Sequence, residues 1–269
     1  MLTFTKEQVM DKTLECKVTR IEGIKSDFNE LLACEYPLTI FLNKRKIATL
    51  LCSPENLEAL ALGFLRTQQL ITNMEDIRNF KLDEVQGIAE VETVEKDISA
   101  GKFYSKKVCL ESIREDNNNY SNFFDSLNCK PIESNIVLPF QKVYEFMEKN
   151  LNYSEVFKKT RGVHCAALCD TENIMIICED VARHNALDKI IGKSFMENVF
   201  LKDKIIILSG RVSFEMILKA AEVQIPIIIS KSSPTSLSLA LAKKLNITLV
   251  GFVRGRKMTI YANEQRIKY

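Results

Sequence analysis

The stretch that decides the fold is IMIICEDVARHNALDKIIG, residues 174–192. Ile174, Met175, Ile176 and Ile177 are all apolar, and this lack of alternation predicts a strand covered on both faces. Glu179 and Asp180 break the run, and a short amphipathic helix is expected to follow, with Ala186, Leu187, Ile190 and Ile191 on one side. Gly192 stands where a glycine would cap and stop that helix. The crossover carries Arg183, His184, Asn185 and Asp188, and crossovers at the carboxyl ends of strands are where open α/β folds place ligands.

Downstream of this corner the pattern repeats. Residues 204–208 (KIIIL), 225–229 (IPIII) and 247–252 read as buried strands, with helices expected after Arg211 and from Pro234, and residues 258–261 close the chain's strands. Upstream, residues 163–168 form another strand, separated from residues 174–177 by the turn Asp170-Thr171-Glu172-Asn173, and a helix begins near Pro139. Strand–helix alternation of this kind predicts an α/β domain over residues 129–269 with a largely parallel, doubly covered sheet.

A smaller α+β domain is expected over residues 1–108. Residues 38–43 (LTIFLN) and 46–51 (KIATLL) flank a polar tip and predict a hairpin. Ser53-Pro54-Glu55 has the signature of a helix start, followed by Leu57, Leu60, Ala61, Phe64 and Leu65 on one apolar stripe. Residues 109–128, rich in charge and asparagine, lose periodicity and read as a flexible loop or linker.

Bulk properties narrow the function classes. A net charge of +2, from 37 basic and 35 acidic residues in 269, carries no global nucleic-acid signature. The N-terminal residues have no continuous apolar core of a secretory signal, and no apolar run reaches the ~18 residues of a membrane span. A cytoplasmic protein with no membrane or nucleic-acid partner is expected, its 8 cysteines reduced. None of them forms a CxxC pair. His164 and Cys165 alternate to opposite faces of a strand, so no metal site is expected there.

Three strand ends share one character. Leu208 runs into Ser209-Gly210-Arg211, Ile229 into Ser230-Lys231-Ser232-Ser233-Pro234-Thr235, and Phe252 into Val253-Arg254-Gly255-Arg256-Lys257. On one edge of a sheet these loops supply cations, hydroxyls and backbone N–H groups, the equipment for holding phosphate. His184, Asn185 and Asp188 are expected to shape the same pocket.

Several segments resemble signature segments of the formate dehydrogenase accessory sulfurtransferase family (FdhD): EDVARHNALDKIIG, LSGRVSFEMILKA, SSPTSLSLALAKKL, LVGFVRGRKMTIY and, near the N-terminus, PLTIFLNKRKIATLLCSPENLEALALGFL. The resemblance implies a C-terminal three-layer, cytidine-deaminase-like α/β domain with a mixed sheet beside the smaller N-terminal α+β domain. It also implies a homodimer that takes sulfur from a cysteine desulfurase as a persulfide. The sulfur would pass to the molybdenum (or tungsten) bis(molybdopterin guanine dinucleotide) cofactor, bound as cargo, for maturation of formate dehydrogenase.

Guanine-dinucleotide contacts of the family include the segment matching Phe252, Val253, Arg254, Gly255, Arg256 and Lys257, and Arg211, Lys231 and Ser233 join them as secondary contacts. The family's sulfur-carrying cysteine lies on a glycine-rich loop. Here the corresponding stretch, SKKVCLESIREDNNNYSN, has no glycine and no cysteine near Ile113 or Arg114. Cys109 is the nearest, ahead of Cys165 and Cys129 as the candidate carrier, and Ala182 replaces a glycine usual before Arg183. A divergent, non-catalytic module that holds or delivers the cofactor is the alternative. A zinc deaminase is disfavoured by the missing H-x-E and P-C-x-x-C segments.

Overall fold

The structure, a computed structural model, describes residues 11–95, 124, 125, 127 and 129–269. Cys109 and most of the expected linker lie outside the described residues. The described residues begin with an antiparallel hairpin, β1 (Thr13–Glu22) and β2 (Ile24–Ala33). A four-stranded sheet follows, ordered β4-β3-β6-β5, from β3 (Tyr36–Leu42), β4 (Arg45–Cys52), β5 (Ile77–Asp83) and β6 (Ile88–Thr93). Helix α1 (Leu57–Thr67) buries Leu57, Leu60, Ala61 and Leu65 against it.

The expected start of α1 is shifted. The helix begins behind Asn56, which sits in the left-handed region at φ 52°, and Ser53 does not cap it. Ser53 reaches across to the other sheet: its N–H donates to Asp180 Oδ2 at 3.1 Å, and its Oγ accepts the Val181 N–H at 3.1 Å.

The larger sheet has the order β13-β12-β11-β10-β8-β9. Its strands are β8 (His164–Cys169), β9 (Ile174–Asp180), β10 (Ile205–Leu208), β11 (Ile227–Ser230), β12 (Thr248–Arg254) and β13 (Lys257–Ala262). The short pair β7 (Leu138–Pro139) and β14 (Ile267–Lys268) lies apart from it. The sheet is mixed rather than largely parallel. Only β10, β11 and β12 run parallel to their neighbours in the middle, while β8 is antiparallel to both β9 and β10, and β13 to β12. The reason is loop length: the few residues between β8 and β9 suffice for a hairpin, whereas a parallel return needs a crossover of about a dozen residues.

Helices cover both faces, giving three layers. On one face lie α4 (Arg183–Met196), α5 (Phe214–Glu222) and α6 (Ser236–Lys244), packed on Ile206, Leu208, Ile228 and Leu249. On the other lies α2 (Phe140–Tyr153), whose Val143, Phe146 and Met147 meet Ile205, Ile207, Ile227 and Ile229; the short α3 (Glu155–Thr160) follows it. Alternate residues of each central strand therefore enter different cores, so the sequence shows runs such as KIIIL with no polar interruption.

Gly192 does not end the helix it was expected to cap. It lies within α4, and its role is close approach: a Cβ there would stand 1.8 Å from the Ala59 carbonyl oxygen on α1. Gly63 is its counterpart on α1, where a Cβ would stand 1.8 Å from the Asp188 carbonyl oxygen. Two glycines thus let the helices touch backbone to backbone and join the N-terminal sheet to the larger one.

A buried polar seam fixes that junction. Asp180 and Lys189 are both fully buried, with Lys189 Nζ 2.6 Å from Asp180 Oδ2. The Asp180 carboxylate also accepts the N–H groups of Ser53 and Ala182 and the Asn185 amide, and Lys189 donates to the carbonyls of Ser53 and Glu179. Buried charges are tolerable when paired and hydrogen-bonded in this way.

Candidate functional site

The register of the larger sheet settles which loops share an edge. Leu208 pairs with Ser230, Ile229 with Val250, and Asp180, at the end of β9, with His164. The Ser209 N–H donates to the Cys165 carbonyl at 3.0 Å, which brings the start of β8 to the end of β10. The loops after β9, β10, β11 and β12 therefore all leave by one edge, the place where α/β sheets present ligand-binding side chains.

The side chains on that edge divide into two groups. Lys231, Val253, Arg254, Gly255 and Arg256 form one wall of a cavity of about 1130 Å³. The opposite wall is α2, which contributes Gln141, Tyr144, Glu145 and Glu148, with Phe140 and Leu151 as apolar lining. Lys231, Arg254 and Arg256 have no ion-pair partner among the described residues, so three cations face a space large enough for a nucleotide-sized ligand. Lys257 is exposed beside them, paired with Arg254 in the β12–β13 register. Arg211 is exposed at the end of β10, and the Ser233 carbonyl is taken by the Val212 N–H at 3.2 Å, and neither lines the cavity.

Phe252 marks the entrance to the β12–β13 turn. Its backbone lies in the left-handed region at φ 51°, a conformation costly for a bulky residue and kept only where the surroundings enforce it. The enforcing contact is its N–H donated to the Ser232 carbonyl at 3.1 Å. The ring stays 42% exposed, with the Arg254 guanidinium 5.8 Å from its centroid. An exposed ring beside a guanidinium is a surface on which a planar base can stack.

The second group is the corner at the start of α4. Asn185 and Asp188, expected in the pocket, are buried in the seam instead. Asn185 donates to the Leu51 carbonyl at 2.7 Å, and Asp188 pairs with Lys219 while accepting from Thr67 Oγ1 at 3.0 Å. His184 has its Nδ1 3.5 Å from Glu215 Oε2, and burial pushes its pKa down to about 4, so the ring is neutral near pH 7. His164 is also lowered by burial, and Gly210 packs between it and Arg183. None of His184, Asn185 or Asp188 lines the cavity. The expectation of one pocket shared by the basic turns and this corner is therefore corrected: the cavity opens toward α2, on the far face of the sheet from α4. The physical reason is the pleat, which directs alternate residues of one strand end to opposite faces.

Sequence reasoning missed the α2 wall. Gln141, Tyr144, Glu145 and Glu148 recur at i, i+3, i+4 and i+7, the polar stripe opposite the apolar one, and nothing in it alone distinguishes a cavity wall from a solvated face.

Five of the described cysteines are held away from the character of a reactive thiolate. Burial pushes Cys52 and Cys165 up to about 12 and Cys178 up to about 11, and raises Cys169 and Cys34 as well. Cys129 is half-buried, its thiol 3.6 Å from Glu222 Oε1. Among the described residues no group of three or more His, Cys, Asp or Glu is placed to hold a metal ion.

Fold and cavity together define a mixed, three-layer α/β protein with a cationic cavity at one sheet edge. The model of the FdhD/NarQ family matches residues 33–268, and the chain belongs to that family. It is 36% identical over 247 residues to the sulfur carrier protein FdhD of Bacillus subtilis, covering 92% of this chain and 94% of the relative. The sulfur carrier protein FdhD of Bacillus pumilus is 40% identical over 233 residues, 87% of this chain and 88% of its own. A crystal structure of a candidate formate dehydrogenase accessory protein from Desulfotalea psychrophila superposes with a TM-score of 0.77 at 28% identity, covering 96% of this chain and all of that one.

Proposed function

We propose that this chain is a sulfur carrier for formate dehydrogenase maturation. It would receive sulfur from a cysteine desulfurase as a persulfide and pass it to the molybdenum (or tungsten) cofactor that carries two guanine dinucleotides. Family membership and the names of the Bacillus relatives support the sulfur-carrier role, and the likeness to the Desulfotalea accessory protein supports the formate dehydrogenase link. A cytoplasmic homodimer is part of the proposal, and no described helix is long and apolar enough to cross a membrane.

The observation that carries the reading is the cavity in which Lys231, Arg254 and Arg256 face α2 with no ion-pair partner among the described residues. Diphosphate oxygens would replace the water around these cations. Arginine forks suit phosphate geometry, and an apolar wall beside them excludes solvent and strengthens each contact. The cofactor here is cargo, so the site has to grip its nucleotide ends and leave the metal accessible to the incoming sulfur.

A second reading, a module that holds or delivers the cofactor without handling sulfur, is favoured by the raised thiols of Cys52, Cys165 and Cys178. Cys109 is the candidate that separates the two. The test is incubation with a cysteine desulfurase and cysteine, followed by mass spectrometry of persulfidated peptides and calorimetric titration with guanosine diphosphate. Sulfur on Cys109 together with nucleotide binding supports the carrier. Nucleotide binding that falls at least tenfold in Arg254→Ala with no sulfur on any cysteine supports the module, and the absence of both refutes the two readings.

A further inference from the structure

One carboxylate in the cavity has no structural employment. Glu145 is held by Lys142 at 3.4 Å and by Lys149 at 2.7 Å. Glu148, one turn further along α2 and also lining the cavity, is exposed and has no ion-pair partner among the described residues. Although Lys231, Arg254 and Arg256 line the same space, none of them comes within 4.0 Å of it, so the cavity keeps its two signs of charge apart.

A ligand matching that arrangement is anionic at one end and presents hydrogen-bond donors at the other. Guanine nucleotides have this polarity, because the base edge carries the N1–H and the 2-amino group side by side, spaced for the two oxygens of a carboxylate. Adenine offers a bare N1 acceptor at the same point, which a carboxylate repels. Resting on the nucleotide-holding role proposed above, we propose that Glu148 reads the N1–H and 2-amino edge of a guanine base whose phosphates lie against Lys231, Arg254 and Arg256. Glu148 is then the specificity-determining residue of the cavity, and the cations supply affinity without choosing the base. A charged acceptor facing two donors discriminates strongly, since the wrong base leaves it unpaired.

The experiment is calorimetric titration of the full chain and its Glu148→Gln and Glu148→Ala variants with guanosine, inosine and adenosine diphosphates. The wild type is expected to prefer guanosine over inosine, which lacks the 2-amino group, and both over adenosine. Glu148→Ala should weaken guanosine diphosphate at least tenfold while leaving adenosine diphosphate within about twofold. Glu148→Gln, carrying one donor and one acceptor, should narrow the ratio from both sides by also accommodating adenine. Since unfolding or a general loosening of α2 would lower all three affinities together, the ratio is the decisive readout. A guanosine preference retained in both variants overturns the assignment of Glu148 and leaves the nucleotide-holding role standing. Failure of the wild type to bind any of the three overturns both.

Discussion

Replacing Gly192 by alanine sets two physical effects against each other, with opposite signs. Helix propensity favours the change: alanine in a helix interior is better than glycine by about 1 kcal/mol. Close approach opposes it, because the new Cβ would stand 1.8 Å from the Ala59 oxygen and 2.6 Å from its carbonyl carbon. Both atoms are backbone, so no rotamer change relieves the contact. Restoring an ordinary separation of about 3.5 Å moves α1 away from α4 by roughly 1.5 Å. That shift costs about 1–3 kcal/mol of overpacking and lost dispersion contact. It also stretches the Thr67–Asp188 and Asn185–Leu51 hydrogen bonds that span the same junction, at about 1 kcal/mol each. After the propensity gain, the net loss is about 2–4 kcal/mol, a fall in Tm of roughly 5–15 °C for a chain of this size. Gly63→Ala meets the Asp188 oxygen at the same 1.8 Å and should behave alike. The double variant should cost less than the sum, because helices already separated accept the second methyl more readily. Urea unfolding followed by circular dichroism measures all three. A Gly192→Ala protein as stable as the parent, or more so, would refute the backbone contact and restore the reading of Gly192 as a helix terminator.

Two further outcomes concern buried ionisable groups. Lys189→Met leaves the Asp180 carboxylate fully buried without its cation and should cost about 3–5 kcal/mol, while the double variant with Asp180→Asn should recover part of that loss; a double variant whose cost in urea equals the sum of the two single variants would show that the pair is not coupled. His184, pushed down to about 4 from an ordinary 6.5, binds fewer protons when folded than when unfolded throughout that window, so its contribution is present above about pH 6.5 and lost as pH falls toward 4. Allowing for the 26% of the side chain still in solvent, the loss between about pH 7 and pH 5 is about 1 kcal/mol, and His184→Gln should flatten the urea midpoint across that interval by the same amount. A profile as steep in the variant as in the parent would assign the pH dependence to other groups.

The elements most legible in the sequence are those whose burial is set by the local chain. KIIIL and IPIII became β10 and β11 because residues buried on both faces can be nothing but apolar, whereas IMII, expected to be covered on both faces, became the edge strand β9 with Met175 44% exposed. The hairpin tip at Asn43-Lys44 was legible for the complementary reason, polar residues free to take positive φ. What escaped depends on partners remote in sequence. Gly192 carries the same local signal whether it ends a helix or admits a neighbouring backbone, and only the position of Ala59 decides. Ser53 resembles a cap because serine before proline and glutamate usually is one, yet its hydroxyl is taken by Val181, 128 positions away.

The site follows the same division. Arg254 and Arg256 were legible as cations in a turn, but the face they serve is fixed by the pleat of β12 and by α2, and no local pattern in the chain brings that helix there. The cysteines make the point from the other side. Cys165, Cys169 and Cys178 lie in the sheet strands whose apolar character made them readable, and that same burial raises their pKa and works against the thiolate form. A carrier thiol must stand outside the core that defines the fold, so the residue on which sulfur would ride is among the least constrained by anything that determines the architecture. Cys109 belongs, in sequence, to the segment without periodicity and lies outside the described residues. The cavity is built from strand ends and a helix that the fold cannot do without. Loss of a working thiol would therefore leave the cavity intact.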